Sequence, residues 1–355
     1  MADARPARGR GRGLPALLAA AVGVTVVVAW AVLGQPGEAG GTGATPEPCN
    51  GASALCDRRY DEVAFPATHN SMSAADAPGW YFAEQPTGIV GQLDAGVRAL
   101  LVDVWPGRTT DRPGLVTTAD RSRLEARTVA DDEWGADAVE GALDLSGAVG
   151  ATGVGPVEPY LCHNLCELGA TPLGTELRRV AAWLADHPRE VVTLVVQDEG
   201  VTPAETADVV TRAGLLPSVH EPSADGTWPT LGQMIATGHR VVVLMEHEGG
   251  GTAYPWLMQA FDHVQDTPYS FETSADFRCD LLRGSPDGPL LLVNHWLSST
   301  ATRRSDADEV NADDVLWARV EQCREERGQI PSFVAVDFYD RGDLFAVVDR
   351  LNGLS

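Results

Sequence analysis

The chain has 355 residues, 44% of them hydrophobic, with 26 basic and 50 acidic side chains and a formal charge of −24. Such a composition supports one sizeable packed domain plus a tail, and its acidity excludes nucleic acid, whose phosphates it repels. Every basic residue is arginine, and four of them fall within the first 12 positions, so the body is more acidic than the total implies.

Residues 1–13 form a basic N-terminus that runs into LPALLAAAVGVTVVVAWAVLG, residues 14–34. About 20 apolar residues suffice to cross a bilayer as a helix, and the arginines ahead of them would stay in the cytoplasm. A cleavable signal peptide is the other reading, with an apolar core of about 7–15 residues. Either places the body outside the cytoplasm, secreted or anchored to the membrane through its N-terminal segment. Residues 35–48, QPGEAGGTGATPEP, read as a Gly/Pro linker. The folded body is predicted over 49–355 and is expected to be a monomer.

All six cysteines lie in that body, and an even count in an exported chain argues for disulfides. Six cysteines allow fifteen pairings. Proximity in sequence selects Cys49–Cys56 and Cys162–Cys166, leaving Cys279–Cys323.

Strand-like runs recur along the body: VAFPATHN (63–70), VRALLVDVW (97–105), VEPYLCHN (157–164), EVVTLVVQDE (190–199), LLPSVHE (215–221), RVVVLMEHE (240–248), PLLLVNHW (289–296) and PSFVAVDFY (331–339). Helical patterns separate them: TGIVGQLDAG, TPLGTELRRVAAWLADHP, TPAETADVVTRAG, TLGQMIATG and NADDVLWARVEQCREE, with DRGDLFAVVDRLN closing the chain. Eight apolar strands alternating with helices predict an α/β fold, a single-domain TIM-type (β/α)8 barrel. A doubly wound open sheet is the alternative. Residues 106–155, rich in Gly, Asp and Thr and without clear periodicity, form a long insertion between the second and third predicted strands. An insertion of that length in a compact domain reads as a lid or a disordered loop.

Polar residues gather at the C-terminal ends of the strands, where barrel enzymes build their sites: His69 and Asn70, Asp103, His163 and Asn164, Gln197 to Glu199, Glu246 and His247, Asn294 and His295, and Asp337. Alternation along a strand puts Ala99, Leu101 and Asp103 on one face, and likewise Phe65, Ala67 and His69, or Leu161 and His163. His69, Asp103 and His163 are therefore expected in one barrel mouth. The cysteines flanking His163 point elsewhere and, once bridged, stiffen the turn that carries it. A zinc site there would need more converging ligands.

Five motifs in order then carry a resemblance: FPATHNSMS, QLDAGVRALLVDVW, LCHNL, ADHPREVVTLVVQDE and FVAVDFY. From about Asp61 to Asn352 the chain resembles the X-domain of phosphatidylinositol-specific phospholipase C, in its single-domain bacterial and X-domain-containing forms. That family's fold is a TIM-type barrel. The resemblance implies cleavage of a phosphodiester by two histidines, with a phospholipid or related phosphodiester as substrate. His69 would be the general base and His163 the general acid, with Asp337 orienting an imidazole and Asp103 in the same mouth.

The growing charge on phosphorus calls for a cation. Metal-independent relatives place an arginine two residues after the strand-two aspartate, where this chain has Trp105. Calcium-dependent relatives carry a carboxylate where it has Leu101. The resemblance thus leaves open a calcium ion held by Asn70, Asp103 and Glu199, or an arginine, Arg108 or Arg98, in its place. Asn70, Arg108, His247 and His295 are candidates for binding phosphate or substrate. Trp80, Tyr81, Trp105, Trp256, Trp296 and Tyr339 offer stacking surfaces or ordinary packing. His187 and Pro188 are expected to be structural, at the opposite end. A non-catalytic binding barrel and a phosphodiesterase for a soluble or glycosylated substrate are the alternative functions.

Overall fold

The structure, a computed structural model, describes residues 47–223, 225–298 and 303–354. The basic N-terminus, the apolar run and nearly all of the linker lie outside the described residues, among which no helix is long and apolar enough to cross a membrane.

Among the described residues eleven strands form: β1 (Phe65–Thr68), β2 (Ala99–Thr109), β3 (Val116–Thr118), β4 (Glu158–Leu161), β5 (Thr171–Pro172), β6 (Val192–Asp198), β7 (Val241–Met245), β8 (Leu257–Gln259), β9 (Val264–Asp266), β10 (Leu290–His295) and β11 (Pro331–Val336). Eight of them pair in parallel in the order β8-β7-β6-β2-β1-β11-β10-β9. Chain order and sheet order therefore agree around a (β/α)8-type barrel, whose ladder is open between β8 and β9. Four residues, Ala260–His263, join these two strands. Side-by-side parallel strands need a crossover of a dozen or more, so β8 and β9 flank a seam.

Apolar alternation builds two layers. Phe65, Ala67, Ala99, Leu101, Val195, Val242, Leu244, Leu292, Phe333 and Ala335 fill the barrel interior. Their neighbours Leu100, Val102, Val104, Leu194, Val196, Val243, Val334 and Val336 pack outward against helices. Helices form within all six predicted stretches, at Ile89–Ala95, Leu173–Asp186, Pro203–Arg212, Leu231–Thr237, Asp313–Arg327 and Leu344–Leu351. Thr202 with Glu205, and Thr230 with Gln233, form capping boxes that start two of them. Gly96 ends another at φ 111°, a left-handed turn into β2 that a side chain would strain. Below it, Arg98 bonds Glu190 at 2.8 Å and His187 stacks on Trp183, so the Arg98 and His187 corner is structural.

Two predicted strands are not barrel strands. Residues 157–164 yield β4, which pairs antiparallel with the far end of β2, at Val104–Gly107. Its Pro159 suits a peripheral strand, not a central one. Residues 215–221 form a turn of 3-10 helix at Leu216–Ser218 and a single bridge from Val219 to Val241. The places of these two are taken by β8 and β9, three residues each and too short to show periodicity.

The insertion is ordered structure as well. β2 continues into it as far as Thr109 and pairs with β3, and helices follow at Asp120–Trp134 and Ala136–Ser146. The first helix buries Ser122, Ala126, Ala130 and Trp134, a stripe at every fourth position. Three of these side chains are small, which left the helical period almost without hydrophobic contrast in the sequence.

Phe333 lies fully buried against Phe65 and Tyr60 at the barrel centre. Phe333→Ala is expected to lower stability by about 3–5 kcal/mol, read as a fall in the denaturant midpoint with little change in its slope.

Candidate active site

The strand ends open onto a cleft of about 590 Å³. β1 delivers His69 at its end, and Asn70 turns the chain there at φ 42°, a left-handed conformation that asparagine tolerates. The turn is fixed by Gln85, whose side-chain amide donates to the carbonyls of His69 (2.6 Å) and Val336 (3.0 Å). His69 Nδ1 lies 2.9 Å from Asp337 Oδ1, just past the end of β11. A carboxylate acceptor fixes the proton on Nδ1, which leaves Nε2 as the reactive nitrogen. The ring stacks on Trp296 at 3.8 Å between centroids and 4° between planes, so its orientation is doubly held.

A second pair repeats this chemistry. His163 Nδ1 lies 2.9 Å from Asp103 Oδ2. His163 follows β4 within a turn closed by the Cys162–Cys166 disulfide, and its ring packs against Trp134. The other two predicted disulfides, Cys49–Cys56 and Cys279–Cys323, also form.

Two glutamates complete the centre. Glu133, on the insertion helix, receives His163 Nε2 at 2.9 and 3.0 Å and the Asn164 amide at 2.9 Å. Glu84, buried between the pairs, brings a carboxylate oxygen within 4.8 Å of ligand atoms of His69 and Asp337, and likewise of Glu133 and His163. Burial opposes charge on His163, but Glu133, Glu84 and Asp103 outweigh it and hold its pKa well above the ordinary 6.5. Burial likewise opposes charge on His69, and Asp337 and Glu84 raise its pKa in spite of it. Burial pushes Glu84 up to about 7 against the pull of both imidazoles.

On the far wall Arg283 supplies a cation. Its guanidinium bonds Asp266 through Nε (2.9 Å) and Nη2 (2.6 Å) and Glu246 through Nη1 (2.8 Å).

Of the residues predicted from sequence, His69, Asn70, Asp103 and His163 line the cleft, and Asp337 stands behind His69. His295, Arg108, His247 and Glu199 do not line it. His295 is fully buried on the outer face of β10, with Nε2 donating to the Val310 carbonyl and its pKa lowered to about 4 by burial. Strand alternation turns Asn294 and Trp296 inward instead, and both line the cleft. Arg108 sits on the β2 extension with its side chain against Gly153. His247 is half exposed, its Nε2 3.8 Å from Glu199 Oε1. Of the two departures from the family pattern, Leu101 lines the cleft while Trp105 is buried within the insertion.

Two of the three residues considered for calcium have other partners, while the buried Asn70 amide nitrogen has none among the described residues. Asp103 holds His163, and Glu199 Oε1 accepts from Gln197. Among the described residues, the histidine and carboxylate sets that converge within 4.8 Å are His69–Glu84–Asp337 and Glu84–Glu133–His163, neither of which includes Asp103 or Glu199. Calcium favours six to eight oxygen ligands, which these residues do not supply, and no step below passes through it.

Sequence reasoning missed Glu84, Glu133 and Arg283. AEQP, ADDEW and LLRGS carry no motif, and only the folded loops bring these side chains to the strand ends.

Comparisons with known proteins identify the chain's relatives. The PI-PLC X 1 family model matches residues 156–352, a span containing His163, Arg283 and Asp337. A "PI-PLC X domain-containing protein 1" of Arthroderma benhamiae is 27% identical over 323 residues, covering 86% of this chain and 90% of the relative. An "Uncharacterized secreted protein" of the same fungus is 25% identical, covering 87% of this chain and 64% of its own length. A PI-PLC X domain-containing protein of Arabidopsis thaliana is 24% identical, covering 83% and 62%. Among solved structures, the phosphatidylinositol-specific phospholipase C of Listeria monocytogenes superposes with a TM-score of 0.47 at 14% identity, covering 84% of this chain and 95% of that one. A variant of the Staphylococcus aureus enzyme gives 0.49 at 13%, covering 85% and 96%. With the family model matching more than half of its 355 residues, the chain belongs to the PI-PLC X family.

Proposed function

We propose that this protein is an exported phosphodiesterase of the phospholipase C type, acting on an inositol phospholipid or a related phosphodiester. The observation that carries this reading is the pair of carboxylate-held imidazoles, His69–Asp337 and His163–Asp103, that share one cleft. The names of the Arthroderma and bacterial proteins support the substrate class and the export.

The chemistry follows from the protonation bias of the two rings. The ring that must give a proton should start protonated, and the ring that must take one should be the less firmly charged. His163, facing three carboxylates, is the acid, and His69 is the base. A substrate hydroxyl next to the phosphate gives its proton to His69 Nε2 as its oxygen bonds to phosphorus. The phosphorus–oxygen bond to the leaving alcohol breaks, and that oxygen takes the proton from His163 Nε2. Attack within one molecule supplies a large effective molarity, about 10⁵ M or more. Arg283 is the cation that faces the phosphate's growing charge, in the role of the family's arginine or calcium.

Incubating the body from Cys49 onward with phosphatidylinositol and a panel of phosphodiesters, with calcium or EDTA, tests the reading. His69→Ala and His163→Ala should each reduce turnover about 10²–10⁴-fold. Turnover indifferent to both changes would sink the two-histidine mechanism, and no turnover of any substrate by the unaltered protein would favour a binding barrel.

The pH dependence has a fixed sign. His69 must be neutral, so kcat/KM should rise with pH through its raised pKa; His163 must be charged, so the rate should fall as pH passes its own, higher value. The optimum therefore lies above 6.5, the ordinary imidazole value. Glu84→Gln removes a carboxylate that raises both pKa values, so both limbs of the profile should move to lower pH. Histidine titrations followed by NMR would show the same two shifts, and unmoved midpoints would refute the role given to Glu84.

A further inference from the structure

Glu133 stands out because it ties the insertion to the nitrogen that the reaction needs. Its two carboxylate oxygens lie 2.9 and 3.0 Å from His163 Nε2, and one of them also takes the Asn164 amide at 2.9 Å. Two donors on adjacent residues thus converge on one small anion. Asn164 is buried and held at φ 56°, inside the turn closed by Cys162–Cys166, so its amide is aimed by the backbone. An oxygen of a phosphodiester protonated by His163 would have to stand where a Glu133 oxygen now stands.

We infer that His163 Nε2 and Asn164 Nδ2 form an oxyanion subsite for the phosphodiester, and that the insertion's own carboxylate, Glu133, occupies it until an anionic ligand takes its place. This rests on the two-histidine reading. A carboxylate and a singly charged phosphodiester both offer two oxygens to paired donors, which makes the exchange chemically like for like. The two anions cannot share the subsite, because their oxygens would need the same position against His163 Nε2 and Asn164 Nδ2, and like charges that close repel. Ligand binding is therefore linked to displacement of the Glu133 side chain from the mouth. The exchange also keeps an anion against His163 throughout, so the acid stays protonated as the phosphate enters.

The test is binding of inorganic phosphate at pH 6, where phosphate is mainly a monoanion, followed by calorimetry on the body from Cys49 onward. Glu133→Gln and Glu133→Ala should each bind phosphate about tenfold more tightly than the unaltered protein, because the resident charged hydrogen bonds no longer compete. Adding Asn164→Ala to Glu133→Gln should remove most of that gain, with circular dichroism confirming the fold. Equal or weaker binding in both Glu133 variants overturns the inference, as does a gain indifferent to Asn164, or no binding in any variant. Turnover of phosphatidylinositol in the same variants separates the two readings. Phosphate binding in the expected order without turnover leaves the subsite standing and removes the catalytic assignment. Turnover that depends on both histidines, with phosphate binding indifferent to Glu133, does the opposite.

Discussion

Period-two alternation along parallel strands decides where His69, Asp103, Glu246 and Asp337 stand in the cleft. On β1 the inward residues are Phe65 and Ala67, and the next of that parity is His69. The same count gives Ala99, Leu101 and then Asp103 on β2, Val242, Leu244 and then Glu246 on β7, and Phe333, Ala335 and then Asp337 past β11. Apolar residues below and polar residues at the rim belong to one face of each strand. A slip of one residue on β2 would put Val104 in the mouth and bury Asp103 among helices. The packing of the barrel interior and the placement of these polar groups are thus one requirement.

The mouth gathers more negative charge than its imidazoles balance. Asp103, Asp337, Glu84 and Glu133 surround two histidines, and Arg283 is already shared between Asp266 and Glu246. Such crowding is costly without compensating protons, and the raised pKa values of both histidines and of Glu84 are that compensation. A site of this kind retains protons and opposes the entry of further negative charge.

Much of this was legible in the sequence, for reasons that are specific. His69, Asp103 and Asp337 each follow an apolar run whose period fixes their direction, His163 stands out between two closely spaced cysteines, and the cysteine pairs lie close together or remain by subtraction. The barrel is legible with two of its members misplaced, because β8 and β9 are too short to show a period while 157–164 reads as a barrel strand despite Pro159. The period was also the correct guide to His295, which it turns outward; a histidine at a strand end drew attention that its parity did not warrant. Glu84, Glu133 and Arg283 could not be found this way. They come from loops and from an alanine-striped helix, where position depends on tertiary packing and not on local repetition.

Arg283 gives the open seam a mechanical meaning. Its guanidinium links Glu246, just past β7, to Asp266, at the end of β9, so a side chain bridges the side of the barrel where the backbone ladder is interrupted. Ladder hydrogen bonds are tied to register, whereas an ion pair of a long side chain can lengthen or turn without breaking the sheet. The barrel wall is therefore stiff around His69 and His163 and compliant opposite them. An anion drawing on Arg283 would slacken its hold on both acids and let that wall yield, while His69 and His163 keep their spacing.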